Sequence, residues 1–473
     1  MHRLGFCLLF LVLGLSVCAA ETNSIVWHKA TDRVDADVRS LELSQLLEQI
    51  AFQTGWRVYV EPDTTHTTSA KFKGLPSGDA LKMLLGDLNF ALVPQTNAAP
   101  RLYVFRTVMK NATQQVLAPK TTAKRVANEL LLKLKPGTDI DALAKLLGAK
   151  VVGRNDKLGI YRLQFADAAA TDAALAQLKT NSDVLAVDYN YYFDPPATLQ
   201  PLANSPIGPV PLTLDPVTTG DPCNPIVGMI DTKFQTMGNQ LDQFILKSIS
   251  VVGDAGSGTS AQSIGNPVEL FTPKQVAAAG VTALPTHGTA MAETILRAVS
   301  QASGGHSSVR ILAVDVYGSG ETTTSWNVAL GIQAAVNNGA TILNLSLGGP
   351  IDSAVLDSVI QQAIAAGIPV YAAAGNQPVS TPTYPGAIPG VIAVTALGQP
   401  GQLASYANFG SFVSLALPGA SVIYFGGQAY VVQGTSPATA YATGVAAGNK
   451  ASTPLTWTQI ESLMQKKFTV PAK

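Results

Sequence analysis

Apolar positions change their spacing several times along the chain, and each change marks a new unit. Between residues 24 and 108, Leu43, Leu46, Leu47 and Ile50 recur at the spacing of one helix face, and Gly55 supplies a stop. WRVYV then alternates as a strand, Ala80, Leu81, Leu84 and Leu85 mark a second helix, and RLYVF reads as a further strand, so a small α+β module is expected. NATQQVLAPKTTAKRV has no apolar face and reads as a linker. Residues 125–193 repeat the alternation. ELLLKLK is a strand, Pro136-Gly137 a turn, and Ile140, Leu143, Leu146 and Leu147 form a helix face. GIYRLQF is the next strand, Ala174, Leu175 and Leu178 lie on a second helix, and VLAVDYNYYF closes the unit, which fits a split βαβ sandwich of the ferredoxin-like kind. Residues 194–223 are proline-rich and are expected to be extended, exposed and open to proteolysis.

Over residues 224–473 the pattern becomes near-continuous apolar runs of strand length, PIVGMI, RILAVDVY, ATILNLSL, IPVYAAA and VIAVTAL, separated by helical stretches such as NVALGIQAAVNN and SAVLDSVIQQAIAAG. Such runs suit parallel strands covered on both faces. The chain is therefore expected to be α/β, a doubly wound parallel sheet preceded by two small α+β domains. In that layout chemistry gathers at the carboxyl ends of the strands. Three ionisable or nucleophilic residues follow such ends or open helices. Asp231 follows PIVGMI, His287 stands in PTHGTAMAETIL, and Ser436 lies in VVQGTSPATAYATGVAAG. Thr435 or Ser436 is expected to cap the helix there, with Pro437 in its first turn and small residues beyond.

A serine hydroxyl becomes a nucleophile when a neutral imidazole takes its proton, and a carboxylate fixes the tautomer of that imidazole. Taken singly, each residue has a plain structural reading: a turn aspartate, a packed histidine, a capping serine. Their order of Asp, His, Ser is that of the subtilisins. At the end of IPVYAAA, Gly375-Asn376 adds a side-chain amide where an oxyanion would need a donor.

Residues 225–465 resemble a subtilisin-type serine protease of the subtilase (peptidase S8) family. The resemblance rests on IDT at 230–232, HGT at 287–289, LNLSLGGP at 343–350, YAAAGN at 371–376, TYPG at 383–386, ALPG at 416–419 and GTSPA at 434–438. It implies a serine endopeptidase acting on polypeptides, with Asp231, His287 and Ser436 as triad. It also implies an oxyanion hole formed by Asn376 and the backbone N–H of Ser436. Ser346, Leu347 and Gly348, with Gly318, Ser319 and Gly320, would run as extended strands beside a bound peptide. Gly375 joins that set, and Thr383 would lie near the base of the specificity pocket, favouring an apolar side chain. Calcium is common in the family, although no acidic cluster in the sequence identifies a site, and no other cofactor is expected.

By the same resemblance, residues 125–193 are similar to the inhibitor-like (I9) prodomain of subtilases. The proline-rich stretch would then be the processing junction of a self-cleaved precursor, and the prodomain an intramolecular inhibitor. LELSQLLEQIAFQTGWRVYV with FKGLPSGDALKMLLGDLNFALV, inside residues 24–108, resembles the short amino-terminal domain of secretins and TonB-dependent receptors, which implies an envelope protein as docking partner. The chain departs from the subtilase pattern at Lys233, Glu293, Pro437 and Ala440. Those departures keep open a degenerate subtilase acting as a binding or regulatory module. An α/β-hydrolase esterase would need glycine where Ala438 stands.

Charge and length narrow the reading further. The 473 residues carry 31 basic and 31 acidic side chains, so no overall field favours nucleic acid or an anionic surface. His2 and Arg3 precede LGFCLLFLVLGLSV and Cys18-Ala19-Ala20, the pattern of a secretory signal over residues 1–20. That predicts export to the periplasm or the extracellular space, with lipid attachment at Cys18 as the rival reading. Signal removal would leave Cys223 as the one cysteine, without an internal disulfide.

Overall fold

The structure is a computed structural model that describes residues 24–28, 32–94, 100–116, 125–193, 199–202, 212–217, 224–252, 284–399 and 401–471. The expected signal, Cys223 and the Gly/Ser-rich GDAGSGTSAQSIG at 253–265, which reads as an insertion between Asp231 and His287, lie outside the described residues. Two compact units are present, Met1–Ala118 and Pro119–Lys473.

The first unit holds β1 (Ser24–His28), β2 (Arg33–Glu42), α1 (Leu43–Thr54), β3 (Arg57–Val60), β4 (Thr67–Pro76), α2 (Ser77–Leu85), β5 (Asn89–Val93), β6 (Arg101–Phe105) and β7 (Gln114–Val116). Its sheets run β1-β2-β4 and β5-β6-β3-β7. Both helices turn their expected faces inward, and Leu46, Leu47, Ile50, Leu81 and Leu84 are fully buried. Gly55 ends α1 with φ 77°, the left-handed turn that glycine adopts most cheaply. One correction concerns the stretch read as a linker. Gln114–Val116 pairs antiparallel with β3, an edge strand too short for its polar sequence to show a period.

The second unit opens with β8 (Arg125–Leu134), α3 (Ile140–Leu146), β9 (Lys150–Asn155), β10 (Ile160–Gln164), α4 (Ala168–Leu178) and β11 (Val184–Phe193). The sheet order β11-β8-β10-β9, antiparallel throughout, is ferredoxin-like. Strand β9 was not expected from its sequence, because KVVGRN is half-buried at the sheet edge and shows no clean alternation. Leu130, Leu132 and Leu134 face the two helices, while Leu131 and Ile160 on the opposite face join a core shared with the rest of the unit.

That remainder contains β12 (Gln200–Pro201), β13 (Asp215–Pro216), β14 (Ile226–Asp231), β15 (Ile245–Ser250), α5 (His287–Ser303), β16 (His306–Ser307), β17 (Arg310–Asp315) and β18 (Thr323–Thr324). It continues through α6 (Ser325–Asn337), β19 (Ile342–Leu345), α7 (Ala354–Ala365), β20 (Val370–Ala373), β21 (Ile392–Gln399), β22 (Gln402–Leu403) and β23 (Leu415–Pro418). It ends with β24 (Ala420–Phe425), β25 (Gln428–Gln433), α8 (Thr435–Ser452) and α9 (Trp457–Lys467). The central sheet runs β15-β17-β14-β19-β20-β21, parallel throughout, with β23 parallel to β21 and β22 an antiparallel edge. Helices α5 and α8 cover one face, and α6 and α7 the other. The doubly wound α/β reading holds.

The small residues of α8 have a packing reason. A methyl group on Gly444 would fall 2.3 Å from the Ile295 carbonyl of α5, so the two helices touch backbone to backbone. The proline-rich stretch, by contrast, is not uniformly exposed. Gln200 and Pro201 pair with Val431 and Tyr430 of β25, and Leu214 is fully buried in the core. Two short segments of it are thus built into the α/β domain, because each carries a leucine that the core can take.

Candidate active site

Asp231 is the last residue of β14 and His287 the first of α5. His287 Nδ1 lies 2.8 Å from Asp231 Oδ1, and both side chains are almost fully buried. The carboxylate is fixed in turn by the Thr232 N–H, which donates to the same oxygen at 2.7 Å. An ionised carboxylate can only accept, so Nδ1 carries the proton and Nε2 keeps its lone pair. Nε2 is buried without a hydrogen-bond partner. A buried base without a partner is the arrangement in which a proton acceptor waits for a donor.

Ser436 is the second residue of α8. Neither it nor Thr435 caps the helix, contrary to expectation. Gly434 is the N-cap, with φ 148° and ψ −179°, because a methyl group there would stand 3.0 Å from Asn376 Nδ2. The Ser436 N–H is consequently among the first-turn donors that have no intrahelical acceptor. Pro437 continues the helix in that turn, so it does not push Ser436 out of helical geometry. The Ser436 hydroxyl donates to the Ser346 carbonyl at 3.0 Å, and the Ser346 hydroxyl returns a bond to the Ser436 carbonyl at 3.1 Å. The hydroxyl is therefore engaged by Ser346 and not by His287.

Asn376 follows β20, where its Oδ1 accepts from the backbone N–H of Thr435 at 2.8 Å and from the Thr435 hydroxyl at 3.0 Å. A backbone N–H can only donate, so the oxygen of the amide faces Thr435 and the NH2 group is left to point elsewhere. The free amide N–H groups and the Ser436 N–H are two donors of the kind that hold an oxyanion.

The substrate-binding expectations divide. Gly348, Gly375 and Thr383 come together: methyl groups at 348 and 375 would lie 2.9 and 3.0 Å from Thr383 side-chain atoms. Ser346 and Leu347 are buried in the segment after β19, and Gly349 exchanges two 2.8 Å backbone bonds with Tyr384. Gly318, Ser319 and Gly320 do not form an extended strand. Gly318 has φ 61° and the Gly320 N–H bonds back to Tyr317, which makes a turn. The strand after that turn is Thr323–Thr324, and it pairs with Tyr192 and Phe193 of β11. Phe193 is buried, and a methyl group on Gly349 would meet its ring at 3.5 Å.

Three supporting residues were not expected from the sequence. Asn408 is buried in a loop. It donates to Thr383 Oγ1 at 2.9 Å and accepts from the Gln377 N–H at 2.8 Å, tying Thr383 to the turn that carries Asn376. Asp315 accepts from the N–H groups of Tyr317 and Gly318, both at 2.9 Å, and shapes the 318–320 turn. Asn344 donates to the Ser346 hydroxyl at 3.0 Å and accepts from Thr443 at 3.0 Å. Asn344 lies inside the LNLSLGGP stretch and Asp315 at the end of RILAVD, so a signal existed for both; Asn408 follows no period or motif.

Two of the unusual residues are now explained. Glu293 is buried but not orphaned. Arg297 donates to it at 2.5 and 3.0 Å, and the Tyr424 N–H at 3.0 Å. Burial pushes its carboxyl above the usual range, while Arg297 and the Tyr424 N–H pull it back. Lys233 is exposed, and its carbonyl accepts from the Thr286 hydroxyl at 2.6 Å. Among the described residues no group of three His, Cys, Asp or Glu side chains could hold a metal ion, and no calcium ligands are assigned.

Known proteins resemble this chain over two stretches. A family model described as fervidolysin N-terminal prodomain matches residues 111–190. Subtilisin NAT of Bacillus subtilis subsp. natto is 31% identical over 246 residues, covering 48% of this chain and 64% of that protein. A subtilisin of Bacillus pumilus is also 31% identical over 246 residues, covering 48% of this chain and 89% of its own length. The chain thus spans less than two thirds of the first of these relatives. The crystal structure of fervidolysin from Fervidobacterium pennivorans, a keratinolytic enzyme related to subtilisin, superposes with TM-score 0.54 at 17% identity, over 72% of this chain and 57% of that one. It shares the fold. The subtilase family model matches residues 224–470, just over half of the chain and nearly all of the α/β domain that carries Asp231, His287 and Ser436, so the chain belongs to the subtilase family.

Proposed function

We propose that the chain is an exported serine endopeptidase, made as a precursor that cuts itself. The single observation that carries this reading is the buried His287–Asp231 pair at 2.8 Å whose Nε2 has no hydrogen-bond partner, on a helix, α5, that packs directly on the helix carrying Ser436. In the proposed reaction Ser436 Oγ attacks the scissile carbonyl carbon and His287 Nε2 takes its proton. The tetrahedral oxyanion is held by Asn376 Nδ2 and the Ser436 N–H, and Asp231 stabilises the imidazolium. The imidazolium then protonates the leaving amine, and water repeats the sequence on the acyl-enzyme. Ser346, Leu347, Gly348, Gly375 and Thr383 would line the substrate cleft, and Gly318, Ser319 and Gly320 its rim. The unit over residues 125–193 acts as the inhibitor, with β11 seated on β18. An envelope protein is the partner proposed for the first unit.

The self-cleaved bond is proposed to lie between Phe193 and Leu199. Phe193 is anchored against Gly349 and Gln200 against Val431, and a tether held at both ends has a high effective concentration. A second reading has one observation in its favour. The Ser436 hydroxyl bonds to the Ser346 carbonyl, as in a chain that keeps the fold without the chemistry.

Expression of the wild type and of Ser436→Ala side by side tests both. The wild type is expected to react with a fluorophosphonate and to lose its amino-terminal part at one bond, and Ser436→Ala to do neither. Cleavage of both chains at the same bond would assign the cut to another protease. Failure of the wild type to label or cleave would favour the binding module.

A further inference from the structure

We propose that Gln235 is a positioning residue for His287, its side-chain amide holding the backbone on the amino side of the histidine and so setting where Nε2 stands. The inference rests on the protease reading and adds to it a residue that touches neither the substrate nor the reacting atoms.

Asp231 and His287 lie 56 positions apart in the chain. The loop that leaves Asp231 turns back at once to hold the residues around its partner. Thr232 Oγ1 accepts from the Gly288 N–H at 2.8 Å, and the Lys233 carbonyl accepts from the Thr286 hydroxyl at 2.6 Å. Gln235 reaches furthest along the segment. Its Oε1 accepts from the Thr286 N–H at 2.7 Å, its Nε2 donates to the Leu284 carbonyl at 3.3 Å, and its own backbone N–H donates to the Thr289 hydroxyl at 2.8 Å. An amide that accepts from one backbone N–H and donates to a nearby carbonyl does with a side chain what a paired strand does with its backbone.

The two sides of His287 are held differently. On the carboxyl side, a methyl group on Gly288 would stand 2.2 Å from the Thr232 carbonyl, so helix and loop meet backbone to backbone and leave no slack. On the amino side the hold is polar and falls on Thr286, which also caps α5 by accepting from the Thr289 N–H. The Thr286 hydroxyl gives its proton to Lys233, so the 2.8 Å contact between the two threonine hydroxyls is donated by Thr289. The Thr286 N–H has Gln235 as its acceptor. Thr286 is bonded directly to His287, and any slack there passes to an imidazole whose Nδ1 stands 2.8 Å from Asp231. A catalytic group displaced by about 1 Å loses roughly 10²-fold in rate, far more than one half-buried amide contributes to stability.

The test compares the wild type with Gln235→Asn and Gln235→Met, which withdraw the acceptor from Thr286, and with Gln235→Glu, which keeps its reach. Active sites of each processed enzyme are counted with a fluorophosphonate, and cleavage of a quenched fluorescent peptide is measured per counted site, so a variant that merely folds less well keeps its kcat. Gln235→Asn and Gln235→Met should lower kcat about 10- to 100-fold with KM nearly unchanged. Gln235→Glu loses only the 3.3 Å bond to Leu284 and should stay within about three-fold of the wild type. A second measurement needs no turnover. In the Ser436→Ala chain the proton on His287 Nδ1, held by a carboxylate, should give a low-field NMR resonance. That signal should persist with Gln235→Glu and shift or broaden with Gln235→Asn and Gln235→Met. Wild-type kcat in Gln235→Asn and Gln235→Met, an equal loss in all three variants, or an unmoved resonance would overturn the proposal while leaving the protease reading intact. A wild type that neither labels nor cuts would overturn the protease reading, and the resonance alone would then decide whether Gln235 positions the histidine.

Discussion

Replacing Asp188 by asparagine should stabilise the uncut chain at neutral pH and leave it unchanged in acid. Asp188 lies on β11, where its carboxylate accepts the N–H of Ala354 at the amino end of α7. Burial is the main force on it and the neighbouring Asp352 adds repulsion. The N–H groups of Ala354 and Val355 and the Lys179 ammonium pull the other way, and the net result is a pKa raised from 3.8 to about 6. A group whose folded pKa is raised contributes stability that is fully present below its unfolded pKa and is lost as pH rises through its folded one. The window is therefore pH 4 to 6, and the docked β8–β11 sheet is held more tightly on its acidic side.

The gap between 3.8 and about 6 sets a ceiling of about 3 kcal/mol, since each pH unit is worth 1.36 kcal/mol. Asparagine has nearly the same shape, can still accept the Ala354 N–H and carries no charge. It should recover most of that energy at pH 7.5 and none at pH 4. The assay is denaturant unfolding at pH 4, 5, 6 and 7.5 of chains that also carry Ser436→Ala, so that no cleavage intervenes. Other titrating groups cancel in the difference between the two chains. If Asp188→Asn is less stable than its parent at pH 7.5, or if the difference is flat with pH, the helix-end attraction outweighs burial and the reasoning fails.

Three further outcomes follow from the site. Glu293→Ala should cost about 2–4 kcal/mol by leaving Arg297 and the Tyr424 N–H without their acceptor, measured as a lowered unfolding midpoint. Asn376→Leu should lower kcat by roughly 10²- to 10³-fold with KM little changed, the range measured for this donor in subtilisin itself; an unchanged kcat would remove Asn376 from the oxyanion hole. Gly434→Ala should cost about 1–3 kcal/mol of stability through its φ of 148°. It should also lower kcat by a smaller factor than Asn376→Leu, because the new methyl group meets the amide 3.0 Å away; wild-type kcat would refute that coupling.

How far the sequence revealed all this depended on whether a feature leaves a period or a short word in it. Strands buried on both faces left unbroken apolar runs: β17, β19 and β20 fall inside the runs expected, and β14 and β21 overrun theirs by one and two residues. The residues at their ends were visible for the same reason, since Asp231 and Asn376 stand where a run stops. Short or half-exposed strands had no such signature, and β7, β9 and β12 were missed. The cap of α8 was misread because its cause is remote. Gly434 is needed there by Asn376, 58 positions earlier in the chain, and not by any residue beside it. Asn408 was invisible on the same ground: its partners Thr383 and Gln377 come from another loop.

The resting position of Ser436 can be reconciled with catalysis by comparing its two acceptors. The Ser346 carbonyl holds the hydroxyl through an ordinary neutral hydrogen bond, worth about 1 kcal/mol net. His287 Nε2 is buried and without a partner, a state that itself costs about 1–3 kcal/mol. In the proposed reaction the hydroxyl exchanges the Ser346 carbonyl for His287 Nε2, and these magnitudes do not oppose the exchange. On the same proposal a bound acyl group would favour the exchange further. A carbonyl carbon placed over Ser436 rewards the rotamer that faces it, and the Asn376 amide rewards the oxyanion that forms. Asp231 needs no adjustment, because its bond to Nδ1 is already made in the uncut chain. On the proposed mechanism the fixed part of the site is the histidine–aspartate pair, and the movable part is the Ser436 hydroxyl.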